Sequence, residues 1–447
     1  MAPDGGGVAP AVTAVYLHTF GCKANQYDTE VVRQALEAAG VAIVHDPRRA
    51  DAAVVNSCTV TSAAERKMRG LVRRLRRERP GLGTVVMGCA AAVDDGTIAA
   101  LPGVRRVVHG ADTDGVLAAL GLQRSTSDPI LHRFERNTRA WLKIQDGCDE
   151  HCTFCATTLA RGANRSRPPR DVLTEARELA ASADEIVLTG VHIGTYGADH
   201  GDATSLGALM EQLVTGVPRV RFRLSSVEAT EVDERLAEVM VGAPDRLAPH
   251  LHAPLQSGSD AVLKRMGRHW YTAEEYAGRL ERLAQRLPVF GLGADVIVGF
   301  PGETDRDHVR TLELVRRLPY TYLHVFPYSE RPGAAARRLG SPVPAALARR
   351  RGDELRALAA EKGSAYRARR VGEWADVVWL SRRAGWYEGL TGDYLTAYLE
   401  SDRAAPCRGP YRLDLADGRL VAERPGPSAE HHQGPGPRAQ GRLRVGA

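Results

Sequence analysis

The chain has 447 residues, 43% of them hydrophobic and 26% charged, an ordinary globular mixture that excludes wholesale disorder and leaves room for about three domains. Lys and Arg number 60 against 54 Asp and Glu, a formal charge of +6 that tolerates a polyanionic partner without demanding one. No apolar run reaches the ~18 residues needed to span a bilayer, so no membrane association is expected. Residues 1–12 read as a Gly/Pro-rich, disordered lead-in lacking the basic start and apolar core of a signal peptide, so the expected setting is cytoplasmic and reducing. A domain over 13–120 then alternates strands and helices: strand 15–20, helix 28–39 ended by Gly40, strand 52–56, helix 61–79 stopped by Pro80-Gly81, strand 84–87. That alternation predicts a parallel α/β sheet.

A polar linker over 121–137 precedes a longer α/β series over 138–370. Its strands are expected at 141–144, 185–188, 220–224, 251–255, 294–298 and 322–326, and helices at 171–183, 260–266, 272–287 and 305–318. Six strands with intervening helices fit a partial TIM-like (β/α)6 barrel better than a doubly wound sheet. A charged helix over 349–370 closes the series. Short strands at 374–380, 385–391, 395–399 and 411–415 then suggest a small β-barrel over 371–424. The tail, 425–447, is Pro/Gly/Gln-rich and reads as disordered.

Six of the seven cysteines form two sets of three. Cys148, Cys152 and Cys155 have a C-x3-C-x2-C spacing on one loop, close enough to clasp a single soft metal centre. Structural zinc would require a fourth ligand, and His151 beside Cys152 could supply it only with strain. A 4Fe–4S cube on three cysteines instead keeps one iron open. Cys22, Cys58 and Cys89 each follow the carboxyl end of an expected strand, an edge that parallel strands share, so three thiols can converge there. The ordinary alternative is three separately buried cysteines. Cys407 is a lone thiol. His18, His192 and His252 sit near strand ends and are expected as hydrogen-bonded pocket or core residues rather than metal ligands.

The loop carrying Cys148, Cys152 and Cys155 resembles the radical S-adenosylmethionine (SAM) signature. The stretches TFGCKANQYDTE (19–30), NSCTVT (56–61), WLKIQDGC (141–148), LHAPLQSGSD (251–260) and DVIVGFPGET (295–304) resemble the methylthiotransferase family. The C-terminal strands are similar to that family's small TRAM barrel, which binds nucleic acid. The cysteine neighbourhoods GCKANQ and CTVT resemble the branch that methylthiolates N6-threonylcarbamoyladenosine beside the tRNA anticodon. ATTLARG after Cys155 departs from the family's bulkier apolar residues and proline.

The resemblance implies two 4Fe–4S clusters, one on Cys148, Cys152 and Cys155, the other on Cys22, Cys58 and Cys89, together with two molecules of SAM. The first cluster would cleave SAM to the radical that takes hydrogen from adenine C2, and the second would supply the methylated sulfur. It also implies tRNA and an electron donor such as flavodoxin or ferredoxin as partners; a monomer is expected. Strand-end loops carrying Thr189, Gly190, Ser225, Ser226, Gln256 and Gly302 would line the SAM site, with ordinary βα turns as the alternative. Basic stretches 66–79 and 161–170 could meet tRNA; a solvated face is favoured for the first, and phosphate contact is more credible for the second. The alternatives are a methylthiotransferase acting on isopentenyladenosine or on a ribosomal protein, and a non-catalytic iron–sulfur RNA-binding protein.

Overall fold

The computed structural model describes residues 12–59, 62–123, 130–134, 138–201, 204–331, 333–400 and 406–424. Nearly all of the expected lead-in, much of the linker and the whole tail therefore lie outside the described residues. The chain divides into two compact units, 1–364 and 365–447.

The first unit opens with β1 (Ala14–Thr19), α1 (Lys23–Ala38), β2 (Ala42–Val44), β3 (Ala52–Ser57), α2 (Ser62–Glu78), β4 (Gly83–Gly88), α3 (Cys89–Ala92), β5 (Val104–Val107) and α4 (Thr113–Ala119). The strands form one parallel sheet, ordered β2-β1-β3-β4-β5. Strands β3 and β4 are buried along their whole length, which is why they read as unbroken apolar runs rather than alternating ones. Val54, Val85 and Met87 meet Val32, Ala35 and Leu36 of α1 on one face. Ala53, Val55 and Val86 meet Met68, Leu71, Val72 and Leu75 of α2 on the other.

Helix α1 starts at Lys23, five residues before the expected position. Its first turns hide polar side chains that an apolar periodicity cannot register. Asn25 is fully buried and donates from Nδ2 to the carbonyls of Phe20 (2.9 Å) and Ser57 (2.8 Å). The edge strands β2 and β5 were not expected; each is only three or four residues long.

The second series comprises β6 (Arg139–Lys143), β7 (Gln145–Asp146), α5 (Thr157–Arg161), β8 (Arg165–Ser166), α6 (Pro169–Ala180), β9 (Glu185–Thr189), α7 (Leu206–Gly216), β10 (Arg221–Leu224), α8 (Glu234–Gly242), β11 (His250–His252), α9 (Asp260–Arg265), α10 (Ala273–Arg286), β12 (Gly291–Val298), α11 (Asp305–Arg317), β13 (Tyr322–Pro327) and the long helix α12 (Ala345–Arg370). Strands β6, β9 and β10 form one parallel sheet and β11, β12 and β13 another. Parallel bridges Phe222–Leu247 and Ser226–His252 join them into a six-stranded partial barrel. Strand β11 ends at His252, before the expected 255, because Pro254 cannot donate to the ladder.

Leu142, Ile186, Leu188, Phe222, Leu224, Leu251, Ala294 and Leu323 face the outer helices. Strand alternation therefore turns Arg139, Trp141, Lys143, Glu185, Thr189, Arg221, Arg223, His250, His252, Asp295, Tyr322 and His324 to the concave side. Among the described residues no helix is long and apolar enough to cross a membrane.

The second unit is a closed five-stranded barrel, β14 (Trp374–Arg383), β15 (Trp386–Thr391), β16 (Thr396–Glu400), β17 (Gly409–Ala416) and β18 (Arg419–Glu423), ordered β14-β15-β16-β18-β17. Val377, Trp379, Tyr387, Leu399, Leu413 and Leu420 fill it. The fifth strand was missed, although Asp417-Gly418, both at positive φ, is a two-residue hairpin turn readable in the sequence.

Candidate active site

All seven cysteines are described and none is in a disulfide. Cys22 is the N-cap of α1, Cys58 follows β3, and Cys89 opens α3 after β4. The parallel sheet brings these three carboxyl ends to one edge, and Asn25 marks where they meet. Its Oδ1 lies 3.6 Å from Cys89 Sγ and 4.0 Å from Cys22 Sγ. Gly21, at φ +109°, packs against Cys58; a Cβ there would sit 2.9 Å from the Cys58 sulfur.

The other three cysteines lie on the loop between β7 and β8, which pair antiparallel. Gly147 permits the turn: it has φ +74°, and a Cβ would collide with the Ala163 carbonyl oxygen. Gln145, fully buried, fixes the loop base. Its Nε2 donates to the Gly147 carbonyl (2.7 Å), and its Oε1 accepts from the amides of Val191 (3.0 Å) and His192 (2.8 Å).

Each loop sulfur has a polar neighbour. Cys148 Sγ is 3.5 Å from His192 Nδ1, and Cys152 Sγ is 3.7 Å from Arg268 Nη1. Cys155 Sγ is 3.1 Å from the Thr157 hydroxyl and 3.3 Å from its amide nitrogen. His192 is ion-paired with Glu231 (2.6 Å) and Arg268 with Glu228. Burial lowers the His192 pKa, but the bonds to Cys148 and Glu231 outweigh it and raise the value to about 10. Burial pushes the Cys152 thiol up to about 12 against the pull of Arg268. The Cys89 thiol rises to about 11 for the same reason, against Arg161.

Arg161 links the base of the Cys148–Cys155 loop to the second cysteine set. Its Nε lies 3.2 Å from Cys89 Sγ, and Nη1 donates to both Asp146 oxygens at 3.0 Å. Nη2 donates to Asn25 Oδ1 (2.6 Å) and Asp28 Oδ2 (2.8 Å). Lys143 completes the bridge between Asp28 (2.5 Å) and Asp146 (3.0 Å). Arg161 is therefore turned inward, contrary to the expected phosphate contact. Arg167 is held likewise by Glu175 (2.7 Å), and of that stretch's arginines only Arg165 and Arg170 are exposed. On α2, Arg66, Lys67, Arg73, Arg74, Arg76 and Arg77 are exposed, a placement that a solvated face and a tRNA contact both require.

The strand-end residues behave unequally. Thr189 and Ser225 stand at or just beyond the ends of β9 and β10, and Ser226 is exposed beside them. Gln256 has φ +61° and bridges to Val296 beyond the end of β11. The missing side chains of Gly190 and Gly302 answer to protein neighbours: a Cβ would meet the Gln145 carbonyl at 2.7 Å in the first and the Arg265 guanidinium at 2.6 Å in the second. Deeper on the concave side, Tyr322 OH lies 2.9 Å from His250 Nε2 and 3.0 Å from His252 Nδ1, and Asp295 bonds His252 (3.1 Å) and His324 (3.2 Å).

Residues 14–110 match the uncharacterized protein family UPF0004, and residues 142–315 match the radical SAM superfamily. The chain is 38% identical over 385 residues to the threonylcarbamoyladenosine tRNA methylthiotransferase MtaB of Bacillus subtilis, covering 82% of this chain and 85% of that protein. It is 33% identical over 424 residues to the tRNA-2-methylthio-N(6)-dimethylallyladenosine synthase of Paracoccus denitrificans, covering 89% and 93%. The chain belongs to the radical SAM tRNA methylthiotransferases. Among solved structures, the radical SAM methyltransferase TsrM from Kitasatospora setae shares the fold at a TM-score of 0.55 and 14% identity, covering 72% of this chain and 74% of that one.

The donor chemistry of this methylthiotransferase fits soft-metal clusters at both thiol sets. Buried thiols whose proton is held this firmly become thiolates when a metal coordinates them. His192, Arg268 and Arg161 are then placed to offset the negative sulfur. Sequence reasoning missed Asn25, Gln145, Arg268 and Arg331, the last a buried arginine whose charge acts on both Cys58 and Cys155. Arg268 and Arg331 are distant in sequence from the cysteines they serve, and no spacing rule points to them.

Proposed function

We propose that this enzyme methylthiolates C2 of N6-threonylcarbamoyladenosine next to the tRNA anticodon. On this reading Cys148, Cys152 and Cys155 hold one 4Fe–4S cluster, and Cys22, Cys58 and Cys89 hold a second. With two molecules of SAM, the bound clusters supply the hydrogen-abstracting radical and the methylated sulfur. The chain's own task is positioning. Gln145 and Gly147 shape the first cluster loop, Asn25 and Gly21 gather the second set of thiols, and Arg161 ties one to the other. Thr189, Gly190, Ser225, Ser226, Gln256 and Gly302 belong to the loops proposed to border SAM, with Gly190 and Gly302 acting through packing. The TRAM-like barrel is proposed to hold tRNA. A cytoplasmic setting and a reductant such as flavodoxin or ferredoxin complete the proposal.

The observation that carries it is the presence of two three-cysteine sets in a chain of this family, with Arg161 bonded both to Cys89 and to Asp146 at the base of the other set's loop. The 33% identity to a dimethylallyladenosine synthase keeps a second reading, an isopentenyladenosine substrate, in view. Mass spectrometry of tRNA nucleosides from a deletion strain separates the two. Loss of the methylthio form of threonylcarbamoyladenosine is expected; its persistence, or loss of the isopentenyl counterpart alone, sinks the first reading. Cys58→Ala is expected to keep deoxyadenosine release from SAM while abolishing methylthio transfer, and Cys152→Ala to abolish both.

A further inference from the structure

Two different polar clusters stand on the concave side of the partial barrel. In the first, Arg139, Glu185 and Arg221 are direct neighbours across β6, β9 and β10. Glu185 accepts there from Arg139 Nε (2.7 Å), Arg221 Nε (2.6 Å) and Arg223 Nη2 (3.0 Å). The second, on β11, β12 and β13, sets two imidazoles around one carboxylate. His252 Nε2 lies 3.1 Å from Asp295 Oδ1, and His324 Nδ1 lies 3.2 Å from the same oxygen. The three atoms all lie within 4.8 Å of one another.

Cross-strand register builds this second cluster. Asp295 and His324 are direct partners on β12 and β13, and His252 pairs with Gly293, two residues before Asp295 and so on the same face. Gly293 also pairs with Tyr322, and a Cβ at Gly293 would collide with the Tyr322 ring and hydroxyl. The bare backbone lets Tyr322 cross β12 and reach β11. Its hydroxyl lies 3.0 Å from His252 Nδ1 and 2.9 Å from His250 Nε2, and its ring stacks on that of His252 with centroids 5.7 Å apart. One nitrogen of His252 is thus held by the phenol while the other is aimed at Asp295. His252 is buried, whereas the side chains of Asp295 and His324 are 29% and 54% exposed, so solvent reaches the cluster.

This arrangement of donors fits one metal ion. In a tetrahedral zinc site with bonds of about 2.0–2.1 Å, neighbouring ligand atoms stand about 3.3 Å apart. The 3.1 and 3.2 Å between the imidazoles and Asp295 Oδ1 are close to that edge. They are also hydrogen-bond lengths, so the three groups hold one another in place before an ion arrives. A ligating imidazole is ordinarily steadied by a hydrogen bond at its other nitrogen, and Tyr322 provides that bond for His252. We propose that His252, Asp295 and His324 bind one divalent transition-metal ion of the zinc type, at a site sharing no residue with the two cysteine sets. Imidazole and carboxylate suit such an ion, whereas iron–sulfur clusters select thiolates. Three protein ligands leave a fourth position for water or a donor atom of a bound substrate. The site does not depend on which base the enzyme modifies.

The test uses full-length protein with its clusters loaded, dialysed anaerobically against zinc. Elemental mass spectrometry counts zinc and iron together, and X-ray absorption at the zinc edge reads the ligands. The wild type is expected to hold one zinc per chain more than Asp295→Asn or His324→Ala, with iron content equal in all three. Its zinc shell is expected to contain nitrogen and oxygen at about 2.0–2.1 Å and no sulfur. Tyr322→Phe removes only the hydroxyl and is expected to weaken zinc binding by about tenfold or more. Should one ligand variant load iron poorly, the other, on a different strand, reads the same difference. A wild type that holds no more zinc than the ligand variants overturns the site. So does sulfur at about 2.3 Å in the zinc shell, which would place the ion on cysteine.

Discussion

Arg161 has a side chain only 6% exposed, yet it meets a thiol, an amide oxygen and two carboxylates from separate parts of the chain. Burial opposes ionisation of Asp146, but Lys143 and Arg161 overcome it and hold its pKa at about 2. Arg161→Met would leave Asp28 and Asp146 to share Lys143 alone. Removing one partner from a buried charge network costs about 3–5 kcal/mol, so a large drop in stability to urea is expected. Arg161→Lys restores the charge without the planar fork and is expected to recover only part. In both variants methylthio transfer should fall more than SAM cleavage, because the lost bonds include the one to Cys89 and those to Asn25 and Asp28 beside it. An unfolding midpoint unchanged in Arg161→Met would show the hub to be dispensable. Nothing local announces this role, since Asn25 and Asp28 are 136 and 133 residues away.

At the scale of elements, what the sequence made legible was the sheet logic. Apolar runs marked buried parallel strands, and cysteines at three carboxyl ends marked one edge. The illegible parts were those where polar residues do structural work, as in the first turns of α1, or where an element is short, as in β2 and β5. The row Arg139–Glu185–Arg221 is of the first kind. Charged residues opening three strands read as surface, and only cross-strand register shows that they meet. Burial works against ionised Glu185, but Arg221, Arg223 and Arg139 hold its pKa well below 4.5. A carboxyl depressed by folding stabilises the fold above its unfolded pKa, and that stability is lost as pH falls through the folded value. Neutral His250, also depressed, acts in the same direction below pH 6.5. Glu185→Gln is therefore expected to lower stability at pH 7 by about 3–5 kcal/mol. It should also give a shallower loss below pH 4.5 than the wild type shows. Urea unfolding across that range measures both, and an equally steep acid limb would refute the assignment.

At the scale of the whole molecule the two units present different surfaces. In the first unit Lys143, Asp146 and Arg161, and Arg268 with Glu228, are turned inward and paired beside the cysteines. The barrel of the second unit keeps arginines and an aromatic ring outside. Trp374 is 50% exposed and pairs across the ladder with exposed Arg412. Arg419 is exposed and lies 5.5 Å over the Tyr398 ring. Exposed arginines beside an aromatic face suit a nucleic acid, through phosphate neutralisation and base stacking. A stacked base contributes about 1–3 kcal/mol, so Trp374→Ala is expected to weaken tRNA binding by about fivefold or more. Arg412→Ala and Arg419→Ala should each reduce the slope of log affinity against log salt by about one. Deoxyadenosine release from SAM without tRNA should be unchanged in all three, because these side chains belong to the other unit. Titrations of tRNA at several salt concentrations supply both numbers. If affinity and salt slope both match the wild type, this face of the barrel does not carry the tRNA.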